Sequence, residues 1–535
     1  MKVRSDVMKL SKSMHTWVGI TSGILLFICF FAGGLSMFQY QFSKWATPQQ
    51  QVLNKIQPDQ YQQLIDKVQQ QFPETQQSFS LSFQDNEFYY APLSWKEKRG
   101  RGFNRDQTSW LASLDENGEL VTRQENLSKA GWLIEQLHET AGIPGIIGHE
   151  GLGVYVMGVV SVLYFLAIMS GLFILLPTLV KDYFAIRPGK NKKRFWLDTH
   201  NVVGITSLPF HIIISITVIV FAFHDLFYDS INHLALNNAS RPKPPVAERM
   251  IETSPSQLSI EKILHKVKEV SPEYTIDYIE FSDLENPEKA NARIALYSGE
   301  QMLRGASNDF MRMNPYEVDR YNHSGIHTQA GAGETAINAM FSLHFGSYGG
   351  NPVRWIYLIL GLGGAFLFYS GNILWIETRA RKQKRPQDPI PTQRKDVVFM
   401  ANLTIGTCLG CIIGIIGALV IGRWVLALWS VQSANHLFMN SYYGLFFLSI
   451  IYTFITGYAK ALPQLLLSIS ILLFAMPITS AIAVIFPDLG LGSYHAYLST
   501  LDIVALLFAL AFLRFYQQAK DRKQAATAGS LWAVK

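Results

Sequence analysis

Cysteine is close to absent from this chain: among 535 residues there are three, Cys29, Cys408 and Cys411, all inside apolar stretches. No disulfide framework can therefore hold a domain outside a bilayer. The Cys408-Leu-Gly-Cys411 spacing resembles a redox motif, but it lies in an apolar run with no cationic neighbour to favour a thiolate, so it reads as structural. Charge is scarce as well. Asp, Glu, Lys and Arg make up 16% against 49% apolar residues, which excludes a string of water-soluble domains. Lys plus Arg exceed Asp plus Glu by 46 to 40, an imbalance that speaks of loop orientation in a membrane and not of a nucleic-acid partner. A Gly-Lys-Ser/Thr phosphate loop is missing, so this chain does not drive transport with ATP. No Gly-x-Gly-x-x-Gly follows a soluble strand, so no nicotinamide or flavin domain is expected.

What is present is a series of apolar runs. A hydrocarbon layer about 30 Å thick takes roughly 20 residues per helix, and eight runs qualify. They cover 14–40, 153–177, 200–223, 353–376, 397–421, 437–458, 464–486 and 498–516. The first is too long for a signal peptide, lacks a small-residue cleavage site and ends on Phe38, Tyr40 and Phe42; it is expected to be a retained helix. Lys and Arg cluster before the first run, between the second and third, between the fourth and fifth, and after the last. Cationic short loops stay cytoplasmic, so both termini are expected there, in the inner membrane of a bacterium, surrounded by lipid.

The organisation that follows is a cytoplasmic N-terminus and first helix over 1–40, an outer segment over 41–150, two helices and a basic loop over 151–223, and a second outer segment over 224–352. The fourth helix spans 353–376, a basic loop 377–396, a four-helix extension 397–516 and a cytoplasmic tail 517–535. Each outer segment reads as a small periplasmic α+β module. In the first, 58–72 is helical and 110–121 is alternation broken at Asn117-Gly118, a hairpin signal. In the second, Ser259 is placed to cap a short amphipathic helix, and strands are expected over 274–281 and 292–297.

An internal duplication runs through the first four helices. His15-Thr-Trp-Val-Gly-Ile-Thr-Ser22 and His200-Asn-Val-Val-Gly-Ile-Thr-Ser207 share six of eight positions. Leu137-His138 and Leu343-His344 precede the second and fourth helices, which later carry Ser170-Gly171 and Ser370-Gly371. Each copy thus has one histidine where the chain leaves the cytoplasmic face and another where it re-enters. A lone histidine at a helix end is ordinarily an interfacial hydrogen-bonding residue; its recurrence in both copies asks for a partner, and imidazole is the commonest ligand for haem iron and for zinc. His211 lies eleven residues after His200, about 16.5 Å along a straight helix and about 20° round it. Two rings on one side at two depths suit two haems across a bilayer better than one compact zinc site. His149, His224, His323 and His327 are weaker candidates on the outer surface. Gly19, Gly23 and Gly204 could admit a macrocycle, whereas Gly406, Gly410 and Gly414 read as helix packing.

With its His-x-x-x-Gly helices, Leu208-Pro-Phe-His211 and Leu343-His-Phe-Gly346, the chain resembles the PepSY-associated transmembrane helix family over about 10–230 and 335–380. It departs from the pattern at Thr217-Val218, where a Thr-Gly pair is usual, and its last four helices lie beyond the family unit. The resemblance implies a polytopic α-helical membrane protein: duplicated two-helix units forming a four-helix core, about four extra C-terminal transmembrane helices, and two PepSY-like periplasmic inserts. Members include iron-regulated inner-membrane proteins and ferric-siderophore reductases. Carried over, this implies haem b, in two copies, with His15, His138, His200, His211 and His344 as five candidates for four ligand places. The expected activity is reduction of a periplasmic iron(III) chelate, such as a siderophore, with electrons from a quinol or a cytoplasmic reductase. His15 and His200 would share one haem, and two of His211, His344 and His138 the other. The rival expectation is a haem-free binding or regulatory protein.

Overall fold

The computed structural model describes residues 4–47, 53–83, 91–96, 108–126, 130–147, 150–183, 192–235, 258–323, 325–326, 331–381, 383, 385, 387–492 and 499–533. The chain opens with α1 (Ser5–Ser36), α2 (Gln39–Ala46) and α3 (Tyr61–Gln71), then strands β1 (Phe79–Ser82), β2 (Leu93–Lys96), β3 (Thr108–Leu114) and β4 (Leu120–Asn126). Next come α4 (Ala130–Thr140), the small strands β5 (Ile146–Ile147) and β6 (Glu150–Gly151), α5 (Leu152–Leu175), α6 (Leu179–Tyr183), α7 (Lys192–Thr206) and α8 (Leu208–Ala235). The second outer segment holds α9 (Ile260–Val270), β7 (Thr275–Ser282), β8 (Asn291–Tyr297), β9 (Asp309–Met313), β10 (Tyr321–Asn322) and α10 (Ala332–Phe345). The remainder is helical: α11 (Gly350–Arg379), α12 (Lys395–Leu428), α13 (Ala434–Thr456), α14 (Tyr458–Ile485) and α15 (Thr500–Gln524).

Among the described residues seven helices, α1, α5, α11, α12, α13, α14 and α15, are long and apolar enough to cross a membrane. The eighth expected span is broken: α7 and α8 meet at Ser207 with a bend of 67°. Pro209, second residue of α8, lacks an amide hydrogen and crowds the backbone before it, which ends α7 and restarts the helix in a new direction. The straight-helix count that set His200 and His211 on one side therefore does not carry through the break. Pro463 and Pro477, which allow broken helices, instead sit within one continuous α14.

The two outer segments do not form separate sheets. Their strands join in one antiparallel sheet of eight, ordered β10-β9-β8-β7-β1-β2-β3-β4. The seam is β1 against β7, with Phe79 opposite Phe281 and their rings stacked at 4.8 Å. Each segment alone would leave β1 or β7 as an unpaired edge, and pairing them satisfies both backbones while burying both phenylalanines. Helices α3 and α9 contribute Leu64, Val68, Ile263 and Val267 to the shared core. The Asn117-Gly118 turn closes the β3–β4 hairpin, with Gly118 at φ +78°, and Ser259 caps α9 by accepting from the Lys262 amide.

In the C-terminal extension α12 is buried almost all round, as a helix without a polar face must be. Gly406, Gly410 and Gly414 face α13: a β-carbon there would lie within about 3 Å of Ile450, Ser449 and Tyr442 respectively. Cys408 and Cys411 are both buried in this helix. Near the sheet-side end a polar network crosses the bundle. Arg423 is 1% exposed; its Nε and Nη2 donate to the Leu491 carbonyl at 3.1 and 3.0 Å, and its Nη1 to Ser480 Oγ at 3.0 Å. Ser480 in turn donates to Asp502 at 3.0 Å, and Asp502 also accepts from Trp45 of α2 at 2.9 Å.

Candidate functional site: two imidazole pairs

Four of the five expected histidines are brought together two by two. His15 of α1 and His200 of α7 have ring centroids 6.4 Å apart with planes at 81°. His138 of α4 and His344 of α10 have centroids 6.1 Å apart with planes at 31°. The pairs sit at different depths: α1 carries His15 in one and, fourteen residues on, Cys29 beside the other, about 21 Å along the axis.

Every ring is held in the same way. His15 Nδ1 lies 2.9 Å from the Ala167 carbonyl, and His138 Nδ1 lies 3.0 Å from the Cys29 carbonyl. A carbonyl only accepts, so both Nδ1 atoms carry the hydrogen. His200 Nδ1 lies 2.9 Å from Ser370 Oγ, whose own hydrogen goes to the Leu367 carbonyl. His344 Nδ1 lies 2.9 Å from Thr217 Oγ1, which donates to the Ile213 and Ile214 carbonyls. In its neutral form each ring, with its hydrogen on Nδ1, leaves the Nε2 lone pair free, the tautomer a metal requires, and each has an outer hydrogen bond that fixes it. Burial drives the pKa of His344 down to about 3, with repulsion from His138 adding to it. At His138 burial pushes the same way, but charge interaction with Cys29, together with hydrogen bonds to its side chain and carbonyl, outweighs it and raises the pKa.

Glycines make room for these rings. A β-carbon on Gly33 would sit 2.5 Å from His138 Nδ1 and one on Gly171 3.1 Å from His15, whereas one on Gly371 would meet His200 at an ordinary contact distance of 3.6 Å. Gly19, one turn beyond His15, faces open space, and Gly204, one turn beyond His200, has its nearest contact at 3.7 Å. The Ser-Gly pairs noted in the sequence therefore lie against the histidines of the odd helices: Ser370 accepts from the His200 ring while Gly171 clears space for that of His15.

His211 is not brought to a second imidazole. Its Nδ1 is 2.5 Å from the Tyr164 hydroxyl, and its Nε2 is buried without a hydrogen-bond partner. With Phe30, Tyr164 and Phe368 it forms an aromatic cluster whose centroids are 5.2 to 5.9 Å apart. Phe30 adjoins Cys29, beside the His138 pair, and Phe368 is two residues from Ser370, beside the His200 pair, so the cluster lies between the two. His224 bonds to the Phe221 carbonyl of its own helix and His323 lies 5.8 Å from the Tyr321 ring at a tilt of 45°, while His149 and His327 lie outside the described residues. Spacing alone did not point to Tyr164 or to the Ala167 and Cys29 carbonyls, because each reaches its histidine across helices.

The geometry fits a planar metal macrocycle between paired rings. Two Nε2 atoms each about 2 Å from one iron put imidazole centroids roughly 6 Å apart, as in both pairs. Among the described residues no group of three His, Cys, Asp or Glu converges as a compact zinc site would demand. The His138–His344 pair lines a cavity of about 720 Å³ that continues past Glu139 and Arg354 to Tyr297 and Gln301 at the end of β8. The family described as the PepSY-associated TM region matches residues 12–378. No curated protein matches the chain.

Proposed function

The chain belongs to the PepSY-associated transmembrane family, and from that premise we propose a di-haem b oxidoreductase of a bacterial inner membrane that reduces a periplasmic iron(III) chelate, of siderophore type. The observation that supports this most is the recurrence of one arrangement at two depths: paired imidazoles at 6.4 and 6.1 Å, each with Nδ1 hydrogen-bonded and Nε2 free. Haem at each pair supplies one-electron transfer between the two faces of the apolar layer. His15 and His200 would hold the one nearer the chain termini, and His138 and His344 the one nearer the sheet. His211, Tyr164, Phe30 and Phe368 fill the space between with aromatic groups and exclude water. The cavity running from the outer pair to β8 gives the chelate an approach. Iron(II) is bound less tightly than iron(III) by hard oxygen ligands, so a reduced chelate releases its metal. No general acid or base is asked of the protein.

The ring planes supply a specific test. Oxidised purified protein should show two low-spin paramagnetic resonance signals, a highly anisotropic one from the 81° pair and an ordinary rhombic one from the 31° pair. Dithionite should then produce a reduced b-type absorption spectrum. A folded but colourless preparation would remove the proposal and favour a haem-free binding protein. A second expectation concerns the outer hydrogen bonds: Ser370→Ala and Thr217→Val should each weaken haem retention at their own pair by about 10–100-fold, measured by transfer to apomyoglobin. Equal retention in both variants and wild type would show that these hydroxyls do not orient ligands.

A further inference from the structure

Helix α15 is tied to the histidine-bearing core at its two ends and stands away from it between them. At the sheet-side end Trp45 donates to Asp502 at 2.9 Å. At the other end Glu377 of α11 accepts from Trp532 at 2.7 Å and pairs with Arg522. Between these ties lies a cavity of about 2280 Å³, bounded by α1 and α11 on one side and by α12, α14 and α15 on the other. Its walls are mostly aliphatic and aromatic. On the core side they include Thr199, next to His200, and Tyr369, next to the Ser370 that orients His200; Trp196 and Phe366 stack there at 6.0 Å. Phe512 and Phe515 of α15 face them.

We infer that this cavity is a binding site for a membrane quinol, the reductant of the His15–His200 pair; the inference rests on the haem reading above. The cavity is half open to the outside of the helix bundle and its walls are largely apolar, so a bilayer component has access to it. Three features select a quinol over a phospholipid chain. The cavity meets the core at the depth of His200, flat aromatic walls suit a planar ring, and Gln518, Asp521 and Tyr369 bring polar groups to the same end. The length of the cavity along α15 leaves room for an isoprenoid tail. The chemistry balances: one quinol gives up two electrons and two protons to become quinone. The electrons leave singly by way of the His15–His200 pair, each reducing one iron(III) to iron(II), and the protons leave past Gln518 and Asp521. The four-helix extension, which lies outside the matched family region, thereby forms the far wall of the donor site.

The test uses full-length protein in nanodiscs. A short-tailed quinol, decylubiquinol or menadiol, should reduce the b-type chromophore anaerobically. In Ala511→Trp, which adds bulk to the cavity wall from α15, that rate should fall by about ten-fold or more while dithionite reduction and pigment content stay unchanged. Solvent extraction after detergent exchange should recover quinone from wild type and little from the variant. Equal quinol rates in the two proteins, or extraction of phospholipid alone, would overturn the inference. Colourless protein that still retains quinone would instead fail the haem reading and leave the cavity assignment standing.

Discussion

His15→Ala and His200→Ala should each abolish the same b-type haem, and His138→Ala and His344→Ala the other, so that every one of the four variants retains about half the pigment of wild type. The partition follows from the contacts. Each imidazole has one partner ring at 6.1 or 6.4 Å, so removing either ring would leave its pair with a single imidazole to hold a haem. His211→Ala should leave both haems in place, because its ring bonds to Tyr164 and faces no second imidazole. His265→Ala, on the exposed face of α9, serves as the control. Pigment quantified as the pyridine complex, with paramagnetic resonance to say which signal is missing, decides the matter. Loss of the 31° signal in His211→Ala, or of both signals in His15→Ala while the protein remains folded, would contradict the pairing.

The second large effect lies far from the histidines. Arg423→Ala should destabilise the protein by about 3–5 kcal/mol, because it leaves the buried Asp502 carboxylate without its compensating charge and strips the Leu491 carbonyl of two donors. Arg423→Lys should recover only part of that loss, since an ammonium cannot reach both the carbonyl and Ser480 with a planar fork. Pairing Arg423→Met with Asp502→Asn should cost less than Arg423→Ala alone, because no lone charge stays behind. Thermal unfolding in detergent, followed by tryptophan emission, provides the comparison. A change within about 0.5 kcal/mol for Arg423→Ala would mean that water reaches the site and that the network is not structural. Because Trp45 joins the network from α2, the same substitution should also loosen the extension from the core.

Seven of the eight spans could be read directly, since an unbroken apolar run of sufficient length has one stable conformation in hydrocarbon, a helix. The β3–β4 hairpin and the cap at Ser259 were equally legible, being set by neighbours in the chain. Pro209 was visible in the sequence as well, but an apolar run hides a bend, so the break between α7 and α8 had to be seen. The single eight-stranded sheet was not legible for a different reason: β1 and β7 are separated by nearly two hundred residues, and each reads as an acceptable edge strand by itself.

The candidate site divides along the same line. Sequence alone singled out the four histidines that meet in pairs, along with His211, because a His-x-x-x-Gly start and a Leu-His approach occur in both copies, and repetition is a property of one dimension. It also supplied the membrane character, through composition, and the absence of nucleotide fingerprints. Which imidazole faces which was decided only by tertiary structure. His138, His211 and His344 are equivalent as candidates until α4 and α10 fold over the ends of the core and the bend at Ser207 turns His211 toward Tyr164. The tautomer of each ring was decided there too, since Ala167, Ser370, Cys29 and Thr217 reach their histidines from other helices. A pairing is a distance between separate helices, and local propensity carries no information about that distance until packing closes it.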